Sequence, residues 1–488
     1  MSKPDRLDVV VMGAGPAGST TARRLAMLGY RVALFHRTGY QRSDFPRWET
    51  ISPIALELIR AYHPDAYTGL QPRLTPVTVH RHWSLIDSPK SEAPSDQTIL
   101  LDRNLLDEEL RRSALAAGVT MVDWPVGSTK ISRVGDVWEV IGMDHHRWRA
   151  SFLVDGAGRR SVLNRRRTFL GAPTLAIETR WSGLSVPKWS TYLEATPSAW
   201  LWAARDGGDL VLLTAFVSRD WLPGGKTRVV SQIRNLLEQS RVGLASGDLK
   251  MEFAPRVREA TASSAVDQIG ASHLRVGDAS LALDPIASQG CQQALISGFQ
   301  GAAVVHTCLS SPGAYPLAEE FVLARLQETI ALHVRHTREA YRQQSRFQTR
   351  FWSDRYLSDP SSLIPLEVGN RLAPDQTVPA EWLQLSPSIQ ICHAAALIGN
   401  IIKSVPAVWH PSWPRPVAFL GNQSVADLIQ GLRGPIAAIN LVESWARRSG
   451  STLESAWALL NRLWQMGFFL SAHDPAKTRQ MVWERRGP

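Results

Sequence analysis

The sequence predicts an α/β protein in which a parallel-sheet domain is interleaved with an antiparallel sheet and followed by an α-helical C-terminal region. Three observations predict it. An apolar strand runs directly into a glycine-rich turn and a helix near residue 13, and a second strand–loop–helix with glycines recurs near residue 277. Between them, residues 178–218 break into short alternating segments, TRWSGLSV, STYLEA, SAWLWAA and LVLLTAF, with the period of half-buried strands.

Composition sets the outer limits. A chain of 488 residues with 44% hydrophobic content is long enough for two or three domains. Its three cysteines, Cys291, Cys308 and Cys392, form neither a metal-ligand pattern nor a disulfide framework, which fits a reducing, cytoplasmic setting. The first strand begins near Leu7, so no signal peptide is expected. No run of 18 uncharged apolar residues occurs, so no membrane span is expected. A net charge of +10 favours an anionic partner, but no zinc-finger or RNA-recognition pattern accompanies it, so nucleic acid is not expected. Tryptophan reaches 18 residues against 8 tyrosines, a usage that suits cores, clefts and aromatic guests.

The first turn is Gly13-Ala14-Gly15-Pro16-Ala17-Gly18, between the strand DVVVM and the helix STTARRLAMLG, with the strand RVALFH after it. This is the strand–GxGxxG–helix–strand context of a Rossmann dinucleotide site. Gly13 allows the tight turn, Gly15 lets the backbone approach a pyrophosphate, and Gly18 lets the helix pack against the strand. The acidic residue that normally ends the second strand and binds ribose is missing; His36 and Arg37 stand there instead. They suit a hydroxyl hydrogen bond and adenine stacking, or a 2′-phosphate.

Two further segments follow. The strand WRASFLVD leads into Gly156-Ala157-Gly158-Arg159-Arg160-Ser161, and DVWEVIGM before it is expected to form a hairpin with that strand. LRVGD then leads through ASLALDPIASQG into the helix CQQALISGFQGAAVVHTCL. Asp278, after Gly277, is placed to accept hydrogen bonds from hydroxyls of a bound ligand. The turn Pro285, Gln289, Gly290 and Cys291 opens a helix whose N–H groups suit a ring on which negative charge develops.

Together with LLDRNLLDEELRRSALAAGV, these segments make residues 7–310 resemble the flavoprotein superfamily of aromatic hydroxylases, flavin-dependent halogenases and geranylgeranyl reductases. The resemblance implies FAD, an external reductant (NAD(P)H, reduced flavin or a partner reductase) and O2. It places Arg103, with Leu106-Asp107 behind it, at the flavin phosphates and ribityl chain. Trp48-Glu49-Thr50 with Pro53 resembles the G-E-S/T segment of the halogenases, and Trp200 with Trp202 resembles part of their W-x-W-x-I-P motif, although Ala204-Arg205 replaces Ile-Pro. Halogenation requires a lysine between flavin and substrate, and no lysine lies between Lys3 and Lys90. The resemblance therefore implies monooxygenation of an aromatic substrate through a flavin hydroperoxide, with Glu49 the candidate base. A halogenase-like activity or a prenyl (geranylgeranyl) reductase are the alternatives, and a flavin-binding scaffold without turnover is the non-enzymatic one. His80 and His82 share one face of a strand and read as a sheet-face pair with no metal assigned.

Beyond a long helix near 317–352 the character changes. IQICHAAALIGNII suggests one helix, and 405–419 an irregular Pro/Trp-rich loop. SVADLIQGL, PIAAINLVESWARR and LESAWALLNRLWQMG read as three amphipathic helices, with RQMVWER as a strand after them, a pattern resembling winged-helix modules that hold peptides by strand addition. The division expected is an FAD-binding Rossmann domain over 1–75, 98–175 and 265–330, and a substrate sheet domain over 76–97 and 176–264. A connection over 331–420 and a small helical domain over 421–488 complete it. These features resemble the flavoproteins that hydroxylate a tryptophan within a protein during tryptophylquinone biogenesis, including that of quinohemoprotein amine dehydrogenase. The basic charge would then steer an acidic protein or peptide substrate.

Overall fold

The computed structural model describes residues 5–36, 47–84, 98–124, 130–142, 145–163, 165–221, 226–243, 249–357, 378 and 381–473. In chain order, β1 (Asp5–Met12), α1 (Pro16–Met27) and β2 (Val32–His36) lead to β3 (Trp48–Ile51), α2 (Pro53–Tyr62), β4 (Thr78–His82), β5 (Ile99–Asp102), α3 (Arg103–Ala116) and β6 (Thr120–Asp123). Next come β7 (Val137–Ile141), β8 (Arg147–Asp155), β9 (Thr174–Ser182), β10 (Ser190–Ala195), β11 (Ala199–Arg205), β12 (Val211–Ser218), α4 (Lys226–Glu238), β13 (Arg256–Glu259) and β14 (His273–Arg275). Two long helices follow, α5 (Gly290–Ser310) and α6 (Tyr315–Arg342). The chain divides into two compact units, residues 1–315 with 332–360, and residues 316–331 with 361–488.

The first unit holds two large sheets. In one, β14, β8, β1, β2 and β6 pair in that order and in parallel, and β7 pairs antiparallel with β8 as the expected hairpin. β1 reads as a continuous apolar run because it is covered on both faces: Val9, Val10, Val11 and Met12 are all fully buried. α1 packs closely on α5, where a Cβ on Gly298 would collide with the Ala17 carbonyl and Thr21 Oγ1 donates to the Gly298 carbonyl at 3.0 Å.

The other sheet is antiparallel over β9, β12, β11 and β10, with β4 added in parallel at the end. Its register sorts the side chains into two sets. Leu175, Ile177, Trp181, Ala203, Leu213 and Val217 face α4 and form a buried core with its Val229, Ile233 and Leu237. Residues of the opposite parity, including Glu178, Leu193, Trp200, Trp202, Thr214 and Phe216, face the other way. His80 and His82 do share a face, and their register partners Tyr192 and Glu194 put it opposite to Trp202. His80 stacks on the Tyr192 ring with centroids 4.4 Å apart.

A buried polar chain ties α1 to α3. His63, fully buried after α2, lies 2.8 Å from Thr20 Oγ1 through Nε2 and 3.0 Å from Ser113 Oγ through Nδ1, and Ser113 donates to Asp65. Burial pushes the His63 pKa down to about 3. The unfolded chain takes up a proton near pH 6.5, whereas the folded chain refuses it until about pH 3, so stability is lost as pH falls through that window. We expect about 2 kcal/mol to be lost at this residue between about pH 7 and pH 5. Urea unfolding at the two pH values should show that slope in the native chain and a shallower one in His63→Gln.

The C-terminal region corrects three expectations. The long helix ends at Arg342, and a separate short helix spans Arg350–Leu357. Gln344 closes the intervening turn, donating from Nε2 to the Phe347 carbonyl at 2.8 Å and accepting from the Phe347 N–H at 2.7 Å. Within the second unit, after β15 (Trp382–Leu385), the segment expected as one helix is instead a hairpin, β16 (Gln390–Ile398) and β17 (Ile401–Trp409). Gly399-Asn400 forms its two-residue turn with Gly399 at φ +60°, and the second arm is rich in β-branched residues, Ile401, Ile402, Val405 and Val408. β17 also takes in the start of the Pro/Trp-rich segment, which is irregular only beyond Trp409. The three amphipathic helices are present as α7 (Val425–Ile429), α8 (Ala438–Ser449) and α9 (Leu453–Gln465). They enclose a core centred on Trp445, Leu460 and Phe468, to which Leu383 and Val408 also belong. A small sheet of Ile436–Ala437, β15 and Phe469–Ser471 flanks them. The strand expected over RQMVWER lies outside the described residues.

Candidate active site

The three glycine segments meet in space. Gly13 has φ +98°, and a Cβ there would lie 2.5 Å from the Gly156 carbonyl oxygen. The loop after β8 is held by Asp155, fully buried, whose carboxylate accepts from the N–H groups of Ala157, Val162 and Leu163 at 3.0–3.2 Å. Gly277, with φ +59°, abuts α1, since an added Cβ would sit 2.7 Å from the Ala17 methyl. Gly15 differs from these. Nothing lies closer to its added Cβ than Arg103 Nη2, at 3.9 Å, so the space above the N-terminus of α1 is open and faces a guanidinium.

Arg103 is fixed in that position by two carboxylates. Its Nε donates to Asp107 at 2.7 Å, and its Nη1 donates to both oxygens of Glu49 at 3.0 and 3.1 Å. Burial alone would favour loss of its proton, but Asp107 and Glu49 outweigh it and hold the guanidinium charged, with its pKa well above the usual value. Glu49, the candidate base, thus stands on the site wall with both carboxylate oxygens engaged.

These groups line one cavity of about 830 Å³. Gly13, Gly15, Pro16 and Ala17 form one part of its wall, and Gly277, Asp278, Pro285, Gln289, Gly290 and Cys291 another. Ala14 and Gly18 sit in the same turn but do not line it; Gly18 instead packs on the Gly13 carbonyl. The far wall is the free face of the antiparallel sheet, with Leu193, Trp200, Trp202, Thr214 and Phe216. Trp200 stacks on Phe216 at 3.6 Å between centroids, making a flat apolar floor. No lysine is among the described residues lining this cavity. Cys291, in the first turn of α5, is desolvated and its thiol pushed up to about 12, which keeps it neutral.

The end of β2 is arranged differently. His36 ends β2, and its Nε2 lies 2.6 Å from Asp123 Oδ1 at the end of β6. A carboxylate therefore reaches the position where β2 lacks one. Burial lowers the His36 pKa, with Asp123 opposing. Arg37 lies outside the described residues.

Two carboxylates at the cavity were not singled out from sequence. Asp284 is the N-cap of the Pro285–Ala287 turn and accepts from the Tyr341 hydroxyl at 3.0 and 3.1 Å; burial raises its pKa. Glu178 faces the cavity from β9, held by Arg180 at 3.2 Å. The alternation in β9 gives a sequence signal for Glu178. The Asp284–Tyr341 contact, spanning 57 residues, has none.

No family model matches the chain. A curated tryptophan 2-halogenase of Chondromyces crocatus is 24% identical over 396 residues, covering 73% of this chain and 72% of that protein. Among solved structures, a peptidyl tryptophan dihydroxylase essential for tryptophylquinone cofactor biogenesis, QhpG, superposes with a TM-score of 0.71 at 24% identity, covering 95% of this chain and 99% of its own. The flavin-dependent halogenase CmlS also reaches 0.71, at 15% identity and 96% coverage of both chains. A geranylgeranyl bacteriochlorophyll reductase-like protein from Thermoplasma acidophilum reaches 0.56 at 16% identity, over 70% of this chain and 87% of its own.

Proposed function

We propose, from a fold shared with the flavin-dependent halogenases and with a peptidyl tryptophan dihydroxylase, that this chain is an FAD-dependent monooxygenase of an aromatic substrate. The observation that carries the reading is the single cavity. It runs from a glycine turn open to a pyrophosphate to a sheet face floored by stacked aromatics. The residues present fit FAD. Gly15 leaves room that any side chain would fill, and Arg103 sits beside that room with its charge secured. When bound and reduced by an external two-electron donor, FAD would supply the electrons and the activation of O2 that oxygen insertion needs.

The chain's own groups divide the remaining work. The Gly13–Gly18 turn, the N-terminus of α1 and Arg103 hold the pyrophosphate. Asp278 holds the ribityl chain, and His36 with Asp123 the adenosine ribose. The N-terminus of α5, after Gln289, faces the flavin pyrimidine. Trp200, Trp202 and Phe216 orient a planar substrate and exclude water. The finer reading is a tryptophan side chain within a protein, hydroxylated during quinone cofactor biogenesis. It is supported by the 24% identity to the dihydroxylase over 95% of this chain, against 15% for the halogenase CmlS at similar coverage. A lysine-dependent halogenation is disfavoured by the lining residues described.

Glu49 and its role can be separated by substitution. In Glu49→Gln, Arg103 loses one charged partner, worth about 1–2 kcal/mol. FAD should bind roughly tenfold more weakly by fluorescence titration, while turnover at saturating FAD changes little. Unchanged FAD affinity with a large fall in saturated turnover would make Glu49 the base itself.

A further inference from the structure

Beside the cavity lies an open cleft of about 1430 Å³ whose lining includes eight arginines and three carboxylates, Glu49, Glu259 and Asp278. The excess is five positive charges. Two phosphates at Gly15 and Arg103 would offset two of them and leave three. The arginines are of two kinds. Arg159 and Arg167 are held by the chain, donating to the carbonyls of Leu283 and Ala279 at 3.1 and 3.0 Å. Arg160, Arg165 and Arg256 are exposed, and no side-chain partner occurs for them among the described residues. Two large apolar side chains stand among them, Phe169 at 57% exposure and Val257 at 46%. The cleft shares Arg47, Arg103, Arg159 and Arg258 with the aromatic cavity, so one opens into the other.

We propose that this cleft is the docking surface for an acidic polypeptide segment that carries the aromatic side chain to be oxidised. A dinucleotide would be served by arginines alone. Exposed phenylalanine and valine between free arginines instead match a chain in which carboxylates alternate with apolar residues. The inference rests on the flavoenzyme reading above and adds to it the class of substrate and the surface that receives it. Because the uncompensated arginines are exposed, their pull is screened by salt.

The test uses the full-length, FAD-loaded protein and fluorescein-labelled peptides with one tryptophan flanked by glutamates or by lysines. Anisotropy should show the glutamate peptide binding and the lysine peptide failing to bind. Raising salt from about 0.1 M to about 1 M, which shortens the screening length from ~10 Å to ~3 Å, should weaken binding more than about tenfold. The triple variant Arg160→Glu, Arg165→Glu, Arg256→Glu should lose about tenfold or more in peptide affinity while keeping its flavin absorbance and circular dichroism. Equal affinity for the two peptides, or an unaltered triple variant, overturns the proposal. So does a triple variant that loses NADP+ binding but keeps the peptide, which would assign the cleft to a dinucleotide. Protein that takes up no FAD would sink the flavoenzyme reading itself, whereas FAD-loaded protein indifferent to the acidic peptide would sink only the docking surface.

Discussion

Gly15→Glu should fold and purify without FAD. The added carboxylate enters the open space above the N-terminus of α1, where the nearest group is Arg103 at 3.9 Å from the new Cβ. It would occupy the volume of the pyrophosphate and place a like charge beside it, a cost of several kcal/mol, or more than about a hundredfold in affinity. Folding should survive, because nothing else lies within 4 Å of that Cβ. The check is flavin absorbance per mole of protein, with circular dichroism as the control for folding. Normal flavin content in this variant would remove the cofactor assignment.

Thr214→Trp should have the opposite profile, with FAD retained and aromatic oxidation lost. Thr214 stands between Trp202 and Glu178 in the sheet register and points into the cavity. An indole there would occupy cavity space beside the aromatic wall. Turnover should fall at least about a hundredfold, the scale on which misplacing a substrate acts. Flavin content should stay near one per chain. Retained turnover would mean that the substrate binds elsewhere, and loss of flavin would mean that the sheet face belongs to the cofactor site.

The parts of the site that were legible in sequence are those written in the backbone. Gly13, Gly18, Gly156 and Gly277 sit where a Cβ would come within 3.2 Å of another part of the chain, a demand that glycine meets best, so the pattern is local and readable. The short strands over 178–218 were equally readable from alternation. Which of their faces meets the cavity was not, because register and the placement of α4 decide it. At the end of β2 the local sequence lacks an acidic residue, and a carboxylate reaches His36 only through the pairing of β2 with β6, which brings Asp123 alongside. The 389–402 segment was misread for a local reason. Its three consecutive alanines and apolar content favour a helix, and the Gly399-Asn400 turn that makes it a hairpin carries less weight than those residues in a periodicity argument. The Asp284–Tyr341 pair shows the general limit, since a buried carboxylate and its phenol are chosen by packing between elements and leave no spacing to detect.

In the proposed reaction this cavity inserts oxygen into an aromatic side chain. Mass spectrometry tests it most directly. The FAD-loaded protein would be incubated with a reductant, O2 and tryptophan-containing peptides, with and without chloride or bromide. A gain of about 16 or 32 Da, one or two oxygen atoms, is expected on the tryptophan whether or not halide is present. A mass gain that requires halide would contradict it and make the chain a halogenase. No gain on any aromatic substrate, with two hydrogens added to an isoprenoid double bond instead, would contradict it in favour of a prenyl reductase.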